Sequence, residues 1–215
     1  MATTDDGALA GELRRIGERR LSKASRYKSI RRRLFLMAAA LAFTQPAYGL
    51  VNRLEVRGLL GCVTSYYDES IVDMPADHLV QMTRVEAEVG CAQVRRYHSI
   101  VAHRRRIAAI YDEALQGLPW LRVPPMVEGA TYSHYVPRVD DKQGLLEFAR
   151  SRGIQLGWLI EYSIPEMRAY RDRPGARHPY PVASRLAATT VNLPLWVEES
   201  VATRVAGVLR EWNGP

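Results

Sequence analysis

Residues Met82–Leu115 read MTRVEAEVGCAQVRRYHSIVAHRRRIAAIYDEAL, and this stretch decides the fold. Its apolar side chains are Met82, Val85, Val89, Ala92, Tyr97, Ile100, Val101, Ile107, Ala108, Tyr111 and Leu115. Most of them recur at the helical spacings of three and four and predict one continuous stripe along a single helix. No proline interrupts the run, and its only glycine is Gly90. At 1.5 Å per residue such a helix is roughly 50 Å long, longer than a small core needs. It is expected to tie together two parts of a protein or two protomers, the plainer alternative being one long amphipathic core helix, and residues 82–116 are read as a linking helix between a helical arm (1–81) and a mixed unit (117–215).

Upstream, the chain is basic and helical. The net charge of the 215 residues is +7, and residues 1–33 carry ten basic and four acidic side chains, a net +6. Any pull toward nucleic acid or anionic lipid therefore comes from the N-terminal segment. Ala8–Arg20 has helical spacing at Leu9, Leu13, Ile16 and Leu21. The basic cluster that follows, Lys23, Arg26, Lys28, Arg31, Arg32 and Arg33, contains one aromatic residue, Tyr27. It reads as a solvated helix face, because single-stranded nucleic acid calls for aromatic stacking. A second helix is expected over about 30–43. Its end, Leu34–Phe43, is the most apolar run in the chain. Ten residues are too few to span a bilayer, which takes about 20. The run reads as a buried helix, with a membrane-surface anchor as the alternative. Tyr48–Leu60 reads as helix and Val63–Val80 as loop, with Asp68, Asp73 and Asp77 as solvated acids.

Downstream, the period changes. Gly117 and Pro119 stop the helix. Thr131–Val139 alternates and is rich in β-formers, and Ile154–Ile160 and Val191–Trp196 read as further short strands. Asp140–Arg152, Pro181–Thr189 and Glu198–Trp212 read as helices, and Tyr162–Tyr180 as a long surface loop. The order strand, helix, strand, loop, helix, strand, helix predicts a small α+β unit.

Catalytic signatures are scarce. Two cysteines, Cys62 and Cys91, are too few for a disulfide scaffold and read as reduced, buried thiols of a cytoplasmic protein. His98 and His103 lie five apart, not at the i, i+4 spacing of a zinc HExxH helix. No Walker lysine, GxSxG or GxGxxG sequence is present. Lysine is limited to Lys23, Lys28 and Lys142, each expected to be exposed. A reactive Schiff-base lysine needs a desolvated or cation-flanked pocket.

Five stretches in register carry a resemblance. Gln81-Met82-Thr83, Glu86–Gly90 and Gln93-Val94 with Arg105–Leu115 form the first. Tyr132–Val139, Arg152-Gly153-Ile154, Pro181-Val182-Ala183 and Val191–Pro194 follow in order. Together they resemble the DegT/DnrJ/EryC1/StrS family of pyridoxal-phosphate aminotransferases, which act mostly on nucleotide-linked keto sugars in polysaccharide biosynthesis. The resemblance implies the small α+β C-terminal domain of a fold-type I pyridoxal-phosphate transferase, preceded by the linking helix. Met1–Asp6 looks like the family's segment just after the catalytic lysine. The resemblance therefore implies a chain without that lysine or the large coenzyme-binding domain, inactive and without pyridoxal phosphate by itself. It also implies a homodimer or a complementing large-domain polypeptide, and an exposed apolar helix face where that domain is missing. Where the family often has an Asn and an Arg for the coenzyme phosphate, this chain has Leu79 and Gln81. Where it often has a His-Tyr pair, this chain has Leu159 and Ile160. Tyr132, His134, Tyr162 and Asn192 are the positions left at the substrate rim. The competing expectation is a non-enzymatic module that uses the basic arm on RNA or an anionic membrane surface.

Overall fold

The computed structural model describes residues 4–42, 44, 49, 54, 77–157 and 163–214. Among these the chain is mostly helical with one small antiparallel sheet. It divides into two compact units, Met1–Arg95 and Arg96–Pro215. The expected helix over Tyr48–Leu60, the loop acids Asp68 and Asp73, and Cys62 lie largely or wholly outside the described residues.

The first unit holds helices α1 (Gly7–Arg20), α2 (Arg26–Ala42) and α3 (Arg84–Arg95). Asp6 caps α1 by accepting from the backbone N–H of Ala8 and Leu9. Thr83 and Glu86 form a capping box at the start of α3, with the Thr83 N–H donating to Glu86 Oε2 at 2.9 Å. The expectation of a buried helix over Leu34–Phe43 is corrected, because no residue of α2 is buried. The inner side of α2 is polar as well as apolar. Lys28 pairs with Asp77 at 2.8 Å and Arg32 with Glu86. An extended segment ties the unit together, with the Ser22 N–H donating to Leu79 O and the Gln81 N–H to Ser22 O, both at 2.8 Å.

The single helix expected over 82–116 is two helices. α3 ends at Arg95 and α4 runs Tyr97–Leu115, with Arg96 between them at φ −94° and ψ 1°. Neither Gly nor Pro makes this break. α3 buries no residue, whereas α4 buries Val101, Ile107, Ala108, Tyr111 and Leu115. Cys91, expected to be buried, is exposed on α3.

The second unit carries the core. α4 packs against α7 (Glu199–Arg210), which contributes Ala202, Val205, Ala206 and Leu209. α5 (Lys142–Ser151) adds Leu145, Leu146 and Ala149, and α6 (Pro181–Thr189) adds Ala187. The sheet pairs β1 (Leu121–Arg122) with β2 (Arg138–Val139), Leu121 opposite Val139. Residues 190–193 continue it. The Val191 and Leu193 N–H groups donate to Pro137 O and Tyr135 O on one side, and Asn192 exchanges both bonds with Gly157 on the other. Residues 191–193 thus lie between two neighbours, and Val191 and Leu193 are fully buried. The expected strand Thr131–Val139 is shortened to a bridge at Tyr135 and the pair Arg138–Val139. Pro137 has no N–H to give, and Tyr132 sits at φ 48°, outside the extended region. Of Ile154–Ile160, residues 154–157 are described and pair only at Gly157. Within the expected surface loop, Ile164–Glu166 and Pro174–Arg177 form two short 3-10 turns.

Candidate functional site

The described candidate rim residues, Tyr132, His134 and Asn192, sit on or beside the small sheet, and no described cleft is lined by them. Asn192 lies on the segment paired with Gly157. Its Oδ1 is buried and has no hydrogen-bond partner. A methyl group on Gly157 would stand 3.3 Å from the Asn192 side chain, so the glycine permits the close approach of the two segments. Tyr132 is half-buried against the core at its positive φ. His134 is exposed, with Nδ1 at 3.3 Å from Ser133 Oγ. Tyr162, Leu159 and Ile160 lie outside the described residues.

Two open clefts lie elsewhere in the same unit. One, of about 420 Å³, is lined by Ser163, Glu166, His178, Tyr180 and Ser184 among others. Ser184 Oγ donates to Glu166 Oε1. The Ser163 N–H reaches the other carboxylate oxygen at 3.4 Å. The Ser184 hydroxyl chiefly, with Ser163 adding to it, holds the Glu166 carboxyl below the usual carboxylate range. A carboxylate of lowered pKa is a weaker base, so this arrangement accepts hydrogen bonds and does not activate the serine. The second cleft, of about 400 Å³, lies between His103 and Trp196. His103 Nε2 donates to Val197 O at 2.9 Å, and the two rings meet edge to face at 5.7 Å. Sequence reasoning singled out neither cleft. The first joins the loop before α6 to the start of that helix, and the second sets the start of α4 against residues 196–198, which are distant in the sequence.

The three lysines are spoken for or solvated. Lys142, expected to be exposed, is buried at 6% exposure and its Nζ donates to Ala187 O at 2.9 Å. Its long stem at the start of α5 folds inward under α6. Lys28 pairs with Asp77, and Lys23 is exposed. Among the described residues no cluster of His, Cys, Asp and Glu suits a metal ion.

The sequence profile of the DegT/DnrJ/EryC1/StrS aminotransferase family matches residues 50–210. The chain belongs to this family. DesV of S. venezuelae, solved in complex with a ketimine intermediate, aligns at a TM-score of 0.59 and 23% identity over 62% of this chain and 37% of its own. A family aminotransferase of Brucella abortus aligns at 0.56 and 22% over 72% and 41%. PseC of Helicobacter pylori, an aminotransferase involved in the biosynthesis of pseudoaminic acid, aligns at 0.56 and 15% over 67% and 43%. At these identities the structures establish the fold. This family member spans less than half the length of each of them. A comparison with curated proteins finds no match.

Proposed function

We propose that this chain provides the small-domain portion of a pyridoxal-phosphate aminotransferase that places an amino group on a nucleotide-linked keto sugar, and that it does not hold the coenzyme by itself. Family membership over residues 50–210 supports the reaction class. The placement of the lysines carries the second half of the proposal. Pyridoxal phosphate supplies an electron sink when bound, and it requires a lysine amine that reaches it from a pocket. Lys142 directs its amine to the Ala187 carbonyl, Lys28 is paired with Asp77, and neither lines a described cleft. The residues present therefore do not fit the coenzyme.

In this reading the coenzyme, its lysine and the phosphate contacts come from a complementing large-domain polypeptide in the cytoplasm, whether or not the chain also pairs with a second copy of itself. Tyr132, His134, Tyr162 and Asn192 are the residues proposed for the substrate rim. The unpartnered Asn192 Oδ1 favours this role, because a sugar hydroxyl donating to it would end its isolation.

Adding pyridoxal phosphate to the purified chain and following its absorbance tests the proposal. The expected outcome is no shifted aldimine band and no borohydride-trapped adduct on Lys23, Lys28 or Lys142. A stoichiometric adduct on any of them overturns it. Mixing with a large-domain polypeptide of the family is expected to restore the band.

A further inference from the structure

The outer face of α2 is apolar in the middle, basic on both flanks and bare. Tyr27, Ile30, Leu34, Met37 and Leu41 follow steps of three and four, and all five are more than half exposed, from 57% at Met37 to 74% at Tyr27. At 100° per residue they fall within one narrow stripe. Arg31 borders it on one side, and Arg26 and Arg33 on the other. All three are exposed, and none makes an ion pair among the described residues. Residues 22–42 contain no Asp or Glu at all. The basic residues of the inner side, Lys28 and Arg32, are the ones neutralised by Asp77 and Glu86. The charge left on the outer face is therefore wholly positive.

We propose that this face of α2 docks in the plane of an anionic lipid bilayer, with its apolar stripe in the acyl boundary and the arginines at the phosphates. A stripe of five apolar side chains with arginine borders is the signature of a helix that lies on a membrane. No described helix is long and apolar enough to cross one. Two other occupants suit the face less well. A second copy would bring unpaired arginines against arginines. A nucleic acid would satisfy the charge but leave four aliphatic side chains in water, with Tyr27 alone to stack on a base.

Flotation of the full chain with lipid vesicles tests the inference. The chain is expected to float with phosphatidylglycerol vesicles at low salt, to float much less at high salt, and to ignore pure phosphatidylcholine. Leu34→Glu with Met37→Glu is expected to abolish flotation while leaving the circular dichroism unchanged, because both side chains stand in solvent. Arg31→Gln with Arg33→Gln is expected to weaken binding by roughly fivefold per arginine, with the protein still folded. The inference is overturned if anionic vesicles do not carry the chain at low salt. It is also overturned if the double Glu variant floats as well as the parent, or if the arginines govern binding to RNA and not to vesicles.

Discussion

At Glu86 one carboxylate holds several backbone and side-chain groups. The Thr83 N–H chiefly, then the Arg32 guanidinium and the Thr83 hydroxyl, lower its pKa from 4.5 to about 2 against the opposing effect of burial. A carboxyl whose pKa is depressed on folding stabilises the protein above its unfolded pKa, and the benefit disappears as pH falls through the folded value. The first unit is therefore expected to lose helix between about pH 4.5 and pH 2, and Glu86→Gln should flatten that loss. Circular dichroism titration of parent and variant checks both. The Thr83–Glu86 box closes within three residues of the chain, whereas the ion pair to Arg32 joins residues 54 apart and follows no local spacing. In the second unit Tyr111 donates to the Pro194 carbonyl at 2.8 Å from a fully buried ring. Tyr111→Phe removes the donor and leaves that carbonyl unpaired, a cost of about 1–3 kcal/mol measurable by urea unfolding. The direction of Lys142 was hidden from sequence reasoning for a related reason. Nothing near it in the chain announces that its acceptor, Ala187 O, is 45 residues away.

Among elements, helices were easier to read than strands. α1, α5, α6 and α7 fall close to their expected ranges, because each presents a helical period in its apolar residues. The sheet was harder, since its pieces are two or three residues long and alternation needs more than that to register. β1 sits between Pro119 and Pro124 and was read only as the end of a helix. The break at Arg96 carries no Gly or Pro signal in the sequence. Gly144 gives an element-scale prediction. A Cβ there would stand 2.1 Å from Asp141 Oδ2, the side chain whose Oδ1 caps α5 by accepting from the Gly144 N–H at 2.9 Å. Gly144→Ala gains helix propensity of about 1 kcal/mol but displaces a cap of about the same worth and crowds Trp212. The expected result is net destabilisation in the parent and stabilisation in an Asp141→Ala background. Thermal melts of the four proteins in this cycle would show the change of sign.

Across the molecule, stability is unevenly shared. The hydrophobic cluster lies wholly within Ile107–Leu209, while α1, α2 and α3 bury no residue. Local opening is cheapest where few apolar contacts are lost. Backbone amides of α1, α2 and α3 are therefore expected to exchange with deuterium before those of α4 and α7, which peptide-level mass spectrometry would resolve. Uniform protection across both units would refute this. The candidate rim follows the same division. Tyr132, His134 and Asn192 were found in the sequence through resemblance, and the structure puts them on the stable unit, yet not around a shared cavity. Their meeting point depends on surfaces that residue spacing in this chain does not encode.

The middle of the sheet is made by residues that emerge late in synthesis. Val191 and Leu193 bond back to Pro137 and Tyr135, and Tyr111 waits for Pro194, 83 positions downstream. While the ribosome is still translating the region between, the earlier edges have no partner and the face of α4 that will meet α7 is open to water. Nascent chains stalled before Val191 should accordingly be caught by chaperones that bind apolar segments, and release should coincide with the arrival of the final helix.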